Sequence, residues 1–131
     1  MKSVAICGSR RFCEGVRAFA QKLEEYGIIV LQPIFYGAHN GEGWEQLSLE
    51  EKELVSRGLI YTHFQHIRIA DAVFVYNPKG YIGYNTTVEI GFAVALGKPI
   101  YALAHDEDIG RRILLQRIFG SPEEFAEILR A

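Results

Sequence analysis

Glu89 is the side chain of this sequence whose surroundings most plainly call for chemistry. It sits in Thr86 Thr87 Val88 Glu89 Ile90 Gly91 Phe92, where a strand-length apolar run over 71–76 has passed through a loop into an apolar helix. Val88, Ile90, Phe92 and Val94 flank it, which predicts a helix over about 86–96 that is buried nearly all round. Glu89, in its first turn, has two readings: an N-terminal acid favoured by the helix dipole, or a carboxylate held in a pocket for catalysis or ligand binding. Asn85, Thr86 and Thr87 just before it can cap the helix. Asn85 can also hydrogen-bond a ligand hydroxyl.

A second group of polar side chains lies near the N-terminus. Gly8 and Ser9 follow the apolar run Val4 Ala5 Ile6 Cys7 and precede Arg10 and Arg11. A strand-to-helix turn of this kind offers backbone N–H groups, a hydroxyl and positive charge, the ingredients of a site for an anion or a sugar hydroxyl. The glycine spacing of a dinucleotide fingerprint and the lysine of a P-loop are both missing.

His63 and His66 could be a metal pair, but no Asp, Cys or third His nearby in sequence completes the set, so neither a metal nor another cofactor is expected. His63 reads instead as a pocket-edge polar group or a structural histidine. Cys7 and Cys13 read as small core residues, with a helix-activated thiolate at Cys13 the rival reading. Asp71, leading a strand, reads first as a turn or cap residue. Phe35, Tyr36, His39 and Trp44 lie in a long aperiodic connection over 33–48, which reads as a lid, a plug at the core edge or part of a dimer interface.

The elements that must position these residues alternate. Strands are expected over 3–7, 28–31, 71–76 and 100–103, and helices to about Tyr26, over 48–69, over 86–96 and from Ser121 to the end. Ser48 Leu49 Glu50 Glu51 is a capping box, Gly58 a possible break, and Ser121 Pro122 Glu123 Glu124 a strong helix start. Ile113 Leu114 Leu115 suits either a short helix or a fifth strand. Strands alternating with helices need crossovers, hence a single α/β domain over 1–131, doubly wound, with a mainly parallel sheet of order 2-1-3-4, a possible fifth strand, and helices on both faces. Its switch point lies between strands one and three, so the loops after Gly8 and after Asn77 share one crevice.

Bulk properties exclude several classes. The net charge of −2 over 131 residues offers no general attraction for a nucleic-acid polymer or an anionic membrane. No apolar run reaches membrane-spanning length, the start of the chain reads as a strand rather than a leader, and the cysteine usage suits a reducing cytoplasm.

With these residues laid out, the chain resembles the nucleoside 2-deoxyribosyltransferase family, including its branch that hydrolyses deoxynucleoside 5′-monophosphates. Three stretches carry the likeness: Cys7 Gly8 Ser9 Arg10 Arg11 Phe12; His63 to Val75; and Gly80 Tyr81 Ile82 Gly83, Thr86 and Glu89 Ile90 Gly91 Phe92 Ala93, ending in Gly97 Lys98 Pro99. The resemblance implies a doubly wound fold and cleavage or transfer of the N-glycosidic bond of a deoxynucleoside or its monophosphate. Glu89 would be the nucleophile that forms a covalent deoxyribosyl ester. Gly8, Ser9, Arg10, Phe12, Gly83, Asn85 and Thr86 would contact the small-molecule substrate, the two arginines favouring a phosphorylated one. Family members commonly carry an aspartate eight residues before the strand-leading aspartate, and here His63 stands there. That departure implies either a histidine acid/base tuned near neutral pH or a site that binds nucleotides without turning them over. A homodimer or larger homo-oligomer is expected. A ribonucleoside-monophosphate phosphoribohydrolase is the enzyme alternative, although Pro78 Lys79 Gly80 departs from that group's Pro-Gly-Gly loop.

Overall fold

The computed structural model describes residues 2–35 and 42–131. Five strands, β1 (Ser3–Gly8), β2 (Ile29–Leu31), β3 (Ala72–Tyr76), β4 (Ile100–Ala102) and β5 (Arg117–Ile118), form one sheet of order β2-β1-β3-β4-β5. Every neighbouring pair is parallel. The expected doubly wound sheet is therefore present, and its fifth strand exists as a two-residue edge.

Side chains alternate across the sheet because the strand period is two. Val4 and Ile6 of β1 and Phe74 of β3 point to one face, where they meet Val16, Phe19, Ala20 and Leu23 of α1 (Cys13–Glu25) and Phe125 and Ala126 of the C-terminal helix (Pro122–Arg130). Ala5 and Cys7, with Val73 and Val75, point to the other face. There they meet Ile67 of the helix Leu49–Ile69 and Ile90 and Ala93 of the helix Tyr84–Ala95. In chain order the helices are α1, α2 (Glu42–Glu45), α3 (Leu49–Ile69), α4 (Tyr84–Ala95), α5 (Ile109–Arg112) and α6 (Pro122–Arg130).

Several local expectations need correction. α3 runs unbroken through Gly58: the capping box at Ser48 is closed in both directions, and the space beside Gly58 is open. A surface glycine costs a helix only about 1 kcal/mol, less than α3 gains by packing. α4 begins at Tyr84 with Gly83 as N-cap, two residues earlier than the pattern indicates, so Glu89 lies in its second turn. Nor is α4 buried all round. Tyr84 (94% exposed), Val88 and Val94 leave an apolar outer stripe, because the sheet and α3 can cover only one side. Ile113 Leu114 Leu115 belong to neither a helix nor a strand; they form the turn between α5 and β5. No described helix is long and apolar enough to cross a membrane.

Candidate active site

The carboxyl ends of β1 and β3 diverge at the switch point, and a cavity of about 650 Å³ opens there. Gly8, Ser9, Arg10 and Arg11 form one wall, Ser56, Leu59, Ile60 and His63 of α3 another, and Gly83, Asn85, Thr86 and Glu89 a third. The two stretches singled out in the sequence thus face each other. The α3 wall is the part that sequence reasoning missed beyond His63. Ser56, Ile60, His63 and Ile67 recur at spacings of three and four, yet that stripe reads simply as a core face until the cavity is seen.

Local structure explains the first wall. Gly8 lies so close to β3 that an added Cβ would stand 3.1 Å from the Tyr76 carbonyl oxygen. Ser9 caps a 3-10 turn over Arg10–Phe12, its Oγ accepting the Arg11 N–H at 3.3 Å. The hydroxyl proton remains available to donate into the cavity. Arg11 lies over the Tyr81 ring at 3.8 Å, and Arg10 lies 6.0 Å from the Trp44 ring centroid. Phe12 does not line the cavity. It packs edge-on to Tyr81 and Tyr76 at 5.8 and 6.3 Å and against the α1-side core, so it supports the wall from behind. Trp44 and Phe35 do line the cavity, whereas Tyr36 and His39 lie outside the described residues. Asp71 is structural: it accepts from the Lys2 and Ser3 main-chain N–H groups and from the Ser3 hydroxyl.

At the cavity floor Glu89 and His63 meet Cys7. Cys7 Sγ lies 3.5 Å from His63 Nε2, and a Glu89 carboxylate oxygen lies within 4.8 Å of the ligand atoms of both. Burial raises the Glu89 carboxyl from 4.5 to about 7, and the neighbouring Cys7 thiol works against that rise. Burial, then the neighbouring His66, lowers His63 from 6.5 to about 4, against the pull of the Ile6 main chain. The Cys7 thiol is pushed up, first by burial and then by the negative charge of Glu89. Burial therefore favours the neutral form of the His63 imidazole at physiological pH. Thr87 donates to the Gly83 carbonyl at 2.9 Å and is reached by Arg111 Nη1 at 3.3 Å. Arg111 in turn grips the buried Asp106 through Nε and Nη2, tying α5 to the start of α4.

This arrangement defines a class: a doubly wound α/β protein with a partly buried carboxylate and a neutral imidazole at the switch point, facing an arginine-bearing turn. The sequence pattern of the nucleoside 2-deoxyribosyltransferase family matches residues 9–115, and the chain belongs to that family. Among solved structures it is similar to a 2-deoxyribosyltransferase from the psychrotolerant bacterium Bacillus psychrosaccharolyticus, at 18% identity, covering 95% of this chain and 90% of that one with a TM-score of 0.66. It is also similar to the CMP N-glycosidase BcmB of Clostridium botulinum, at 18% identity over 98% of each chain with a TM-score of 0.57. A conserved protein from Enterococcus faecalis V583 matches at 15% identity over 99% of this chain and 98% of that one, TM-score 0.61. At such identities the likeness is one of fold. Curated proteins yield no match.

Proposed function

We propose that the protein cleaves or transfers the N-glycosidic bond of a 2′-deoxynucleoside 5′-monophosphate or deoxynucleoside, with Glu89 as nucleophile. The observation that carries this reading is the place of Glu89: a carboxylate on the floor of the switch-point cavity of a chain in this family, opposite the Ser9–Arg11 turn. Attack of its oxygen on the anomeric carbon would expel the base and leave a deoxyribosyl ester, which water or a second base then resolves. One His63 ring nitrogen lies within 4.8 Å of a Glu89 carboxylate oxygen. Retaining glycosidases hold nucleophile and acid/base at a similar separation, about 5 Å. A neutral imidazole at that distance suits the second half-reaction, where it would take a proton from the incoming water.

Arg10 and Arg11 at the cavity wall support a phosphorylated substrate, because a guanidinium recognises a phosphate through short charge-assisted hydrogen bonds that a bare nucleoside does not offer. The exposed apolar stripe of α4 supports a homodimer, and Tyr84 lies both on that stripe and at the cavity wall. Cytoplasmic residence fits a nucleotide substrate.

A binding module without turnover is the second reading, and the neutrality of His63 favours it, since a neutral imidazole is too weak an acid to protonate the leaving base. Incubating the protein with ribo- and deoxynucleosides and their monophosphates, and following free base by chromatography, separates the readings. Release from deoxy substrates, lost by at least about 1000-fold in Glu89→Ala, is the expected result. Release from ribo substrates alone would favour a phosphoribohydrolase. Saturable binding with no release would favour the binding module, and wild-type turnover by Glu89→Ala would remove Glu89 as nucleophile.

A further inference from the structure

Glu89 and His63 line the cavity floor and the fully buried Cys7 lies directly behind them, a thiol that a nucleophilic carboxylate and its base do not require. One donor atom each from Cys7, His63 and Glu89 lies within 4.8 Å of the others, and the sulfur and nitrogen are 3.5 Å apart. We propose that Cys7, His63 and Glu89 form a site for a thiophilic divalent cation, zinc in first place, and that occupancy of this site switches off the chemistry at Glu89. The switching half rests on the nucleophile assignment above; the metal half does not.

Geometry favours zinc. Bonds of about 2.3 Å to sulfur and 2.0–2.1 Å to nitrogen at a tetrahedral angle put those two ligand atoms about 3.5 Å apart. That is the separation already present between Cys7 Sγ and His63 Nε2. The Glu89 oxygen has to close in by at most about 1.5 Å from the 4.8 Å outer limit of the cluster, a movement its side-chain torsions supply at the edge of the cavity.

Ligand chemistry points the same way. Thiolate and carboxylate together cancel the charge of a divalent ion, so the bound site adds no net charge to the cavity floor. The thiol proton leaves as the sulfur–metal bond forms, and the imidazole binds through an unprotonated Nε2. Its proton then sits on Nδ1, where His66 Nδ1 lies 3.3 Å away to accept it, the second-shell arrangement usual for a metal-bound histidine. Magnesium and calcium, which take six or more oxygen ligands, are disfavoured by a set with one sulfur and one nitrogen.

The consequence for catalysis is direct. A Glu89 oxygen bonded to zinc has its lone pair engaged and cannot attack an anomeric carbon, so metal and turnover exclude each other. Cys7 and His66 then act through the metal and not on substrate.

Chelator-treated, tag-free full chain titrated with cobalt(II) gives the decisive readout. Expected are one cobalt per chain, a thiolate-to-cobalt charge-transfer band, the visible bands of a tetrahedral site, and displacement by zinc. The band should vanish in Cys7→Ser and persist in Cys13→Ala. Zinc affinity measured by calorimetry should fall by at least about 100-fold in His63→Ala and Glu89→Gln, and by about 10- to 100-fold in His66→Ala. Absence of the thiolate band in the wild-type chain, its loss in Cys13→Ala, or unchanged zinc affinity across the ligand variants would overturn the site. If Cys7→Ser does not fold, Glu89→Gln and Cys13→Ala decide the matter. Base release should stop at one equivalent of zinc and return with chelator; zinc-bound protein that still turns over overturns the switch. A chain with the cobalt spectrum and no turnover on any substrate overturns the nucleophile assignment and the switch but leaves the metal site standing.

Discussion

Cys7 Sγ and His63 Nε2 stand 3.5 Å apart although 56 residues separate them in the chain, and a Glu89 carboxylate oxygen lies within 4.8 Å of both residues' ligand atoms. A thiol that donates to a carboxylate favours its charged form. Cys7→Ala should therefore raise the Glu89 value further. In chelator-treated protein, base release should climb with pH through about 7 as Glu89 ionises, and Cys7→Ala should move that limb to higher pH. Cys7→Ser, which keeps a donor of similar size, should leave the limb near its wild-type position. A limb that does not respond to Cys7→Ala argues that another group sets it.

His63 as the base of the second half-reaction makes a kinetic prediction. His63→Ala should slow steady-state release by roughly 100-fold while leaving a rapid first release of about one base per chain. Rapid-quench measurements check it. A first turnover slowed as much as the steady state would put the role of His63 in bond cleavage instead.

Burial of Glu89 has a cost that depends on pH. Its folded-state value, about 7, lies above the ordinary 4.5, so the unfolded chain gives up this proton first as pH rises. The stability the neutral carboxyl contributes is full below about 4.5 and is lost as pH climbs through about 7. Glu89→Gln, which cannot ionise, should exceed the wild type by roughly 3 kcal/mol at about pH 8 and match it near pH 4. Tm measured across that range shows the gap opening with pH, and a gap constant with pH contradicts the assignment.

The arginine turn should discriminate by phosphate. Arg10→Ala and Arg11→Ala should each raise KM for a deoxynucleoside monophosphate by about tenfold or more, the worth of a charge-assisted hydrogen bond, with little change for the nucleoside. Equal losses on both substrates would mean that the arginines shape the wall and do not read the phosphate. The Arg11 stack on Tyr81 makes that outcome physically reasonable at Arg11.

Arg111 is a stability test outside the cavity. Asp106 is 1% exposed and receives Arg111 Nε at 2.8 Å and Nη2 at 3.1 Å. Arg111→Ala strands a buried carboxylate and cuts the link to Thr87, which should cost about 2 kcal/mol in urea unfolding. Removing both partners in Arg111→Ala/Asp106→Asn should cost less than the sum of the two single changes.

Local signals were enough to read the frame of the molecule. The alternation of apolar strands with helices, the capping box at Ser48, the Ser121-Pro122 start and the α1 face of Val16, Phe19, Ala20 and Leu23 all follow from period and cap chemistry within a dozen residues. So did the crevice that pairs the Ser9 turn with Glu89, since right-handed crossovers allow few other orders. Strand ends, the fate of Ile113 to Leu115 and the exposure of α4 were not legible, because edge pairing and the area a sheet can cover are tertiary quantities. The Cys7–His63–Glu89 cluster was the furthest out of reach. Strand alternation alone put Cys7 on one of two faces, and nothing local says which. Only the packing of α3 and α4 on the same side of β1 sets a thiol, an imidazole and a carboxylate around one point. The sequence by itself determined which groups the site could use; the tertiary structure decided which of them touch, and through burial, which of them carry charge.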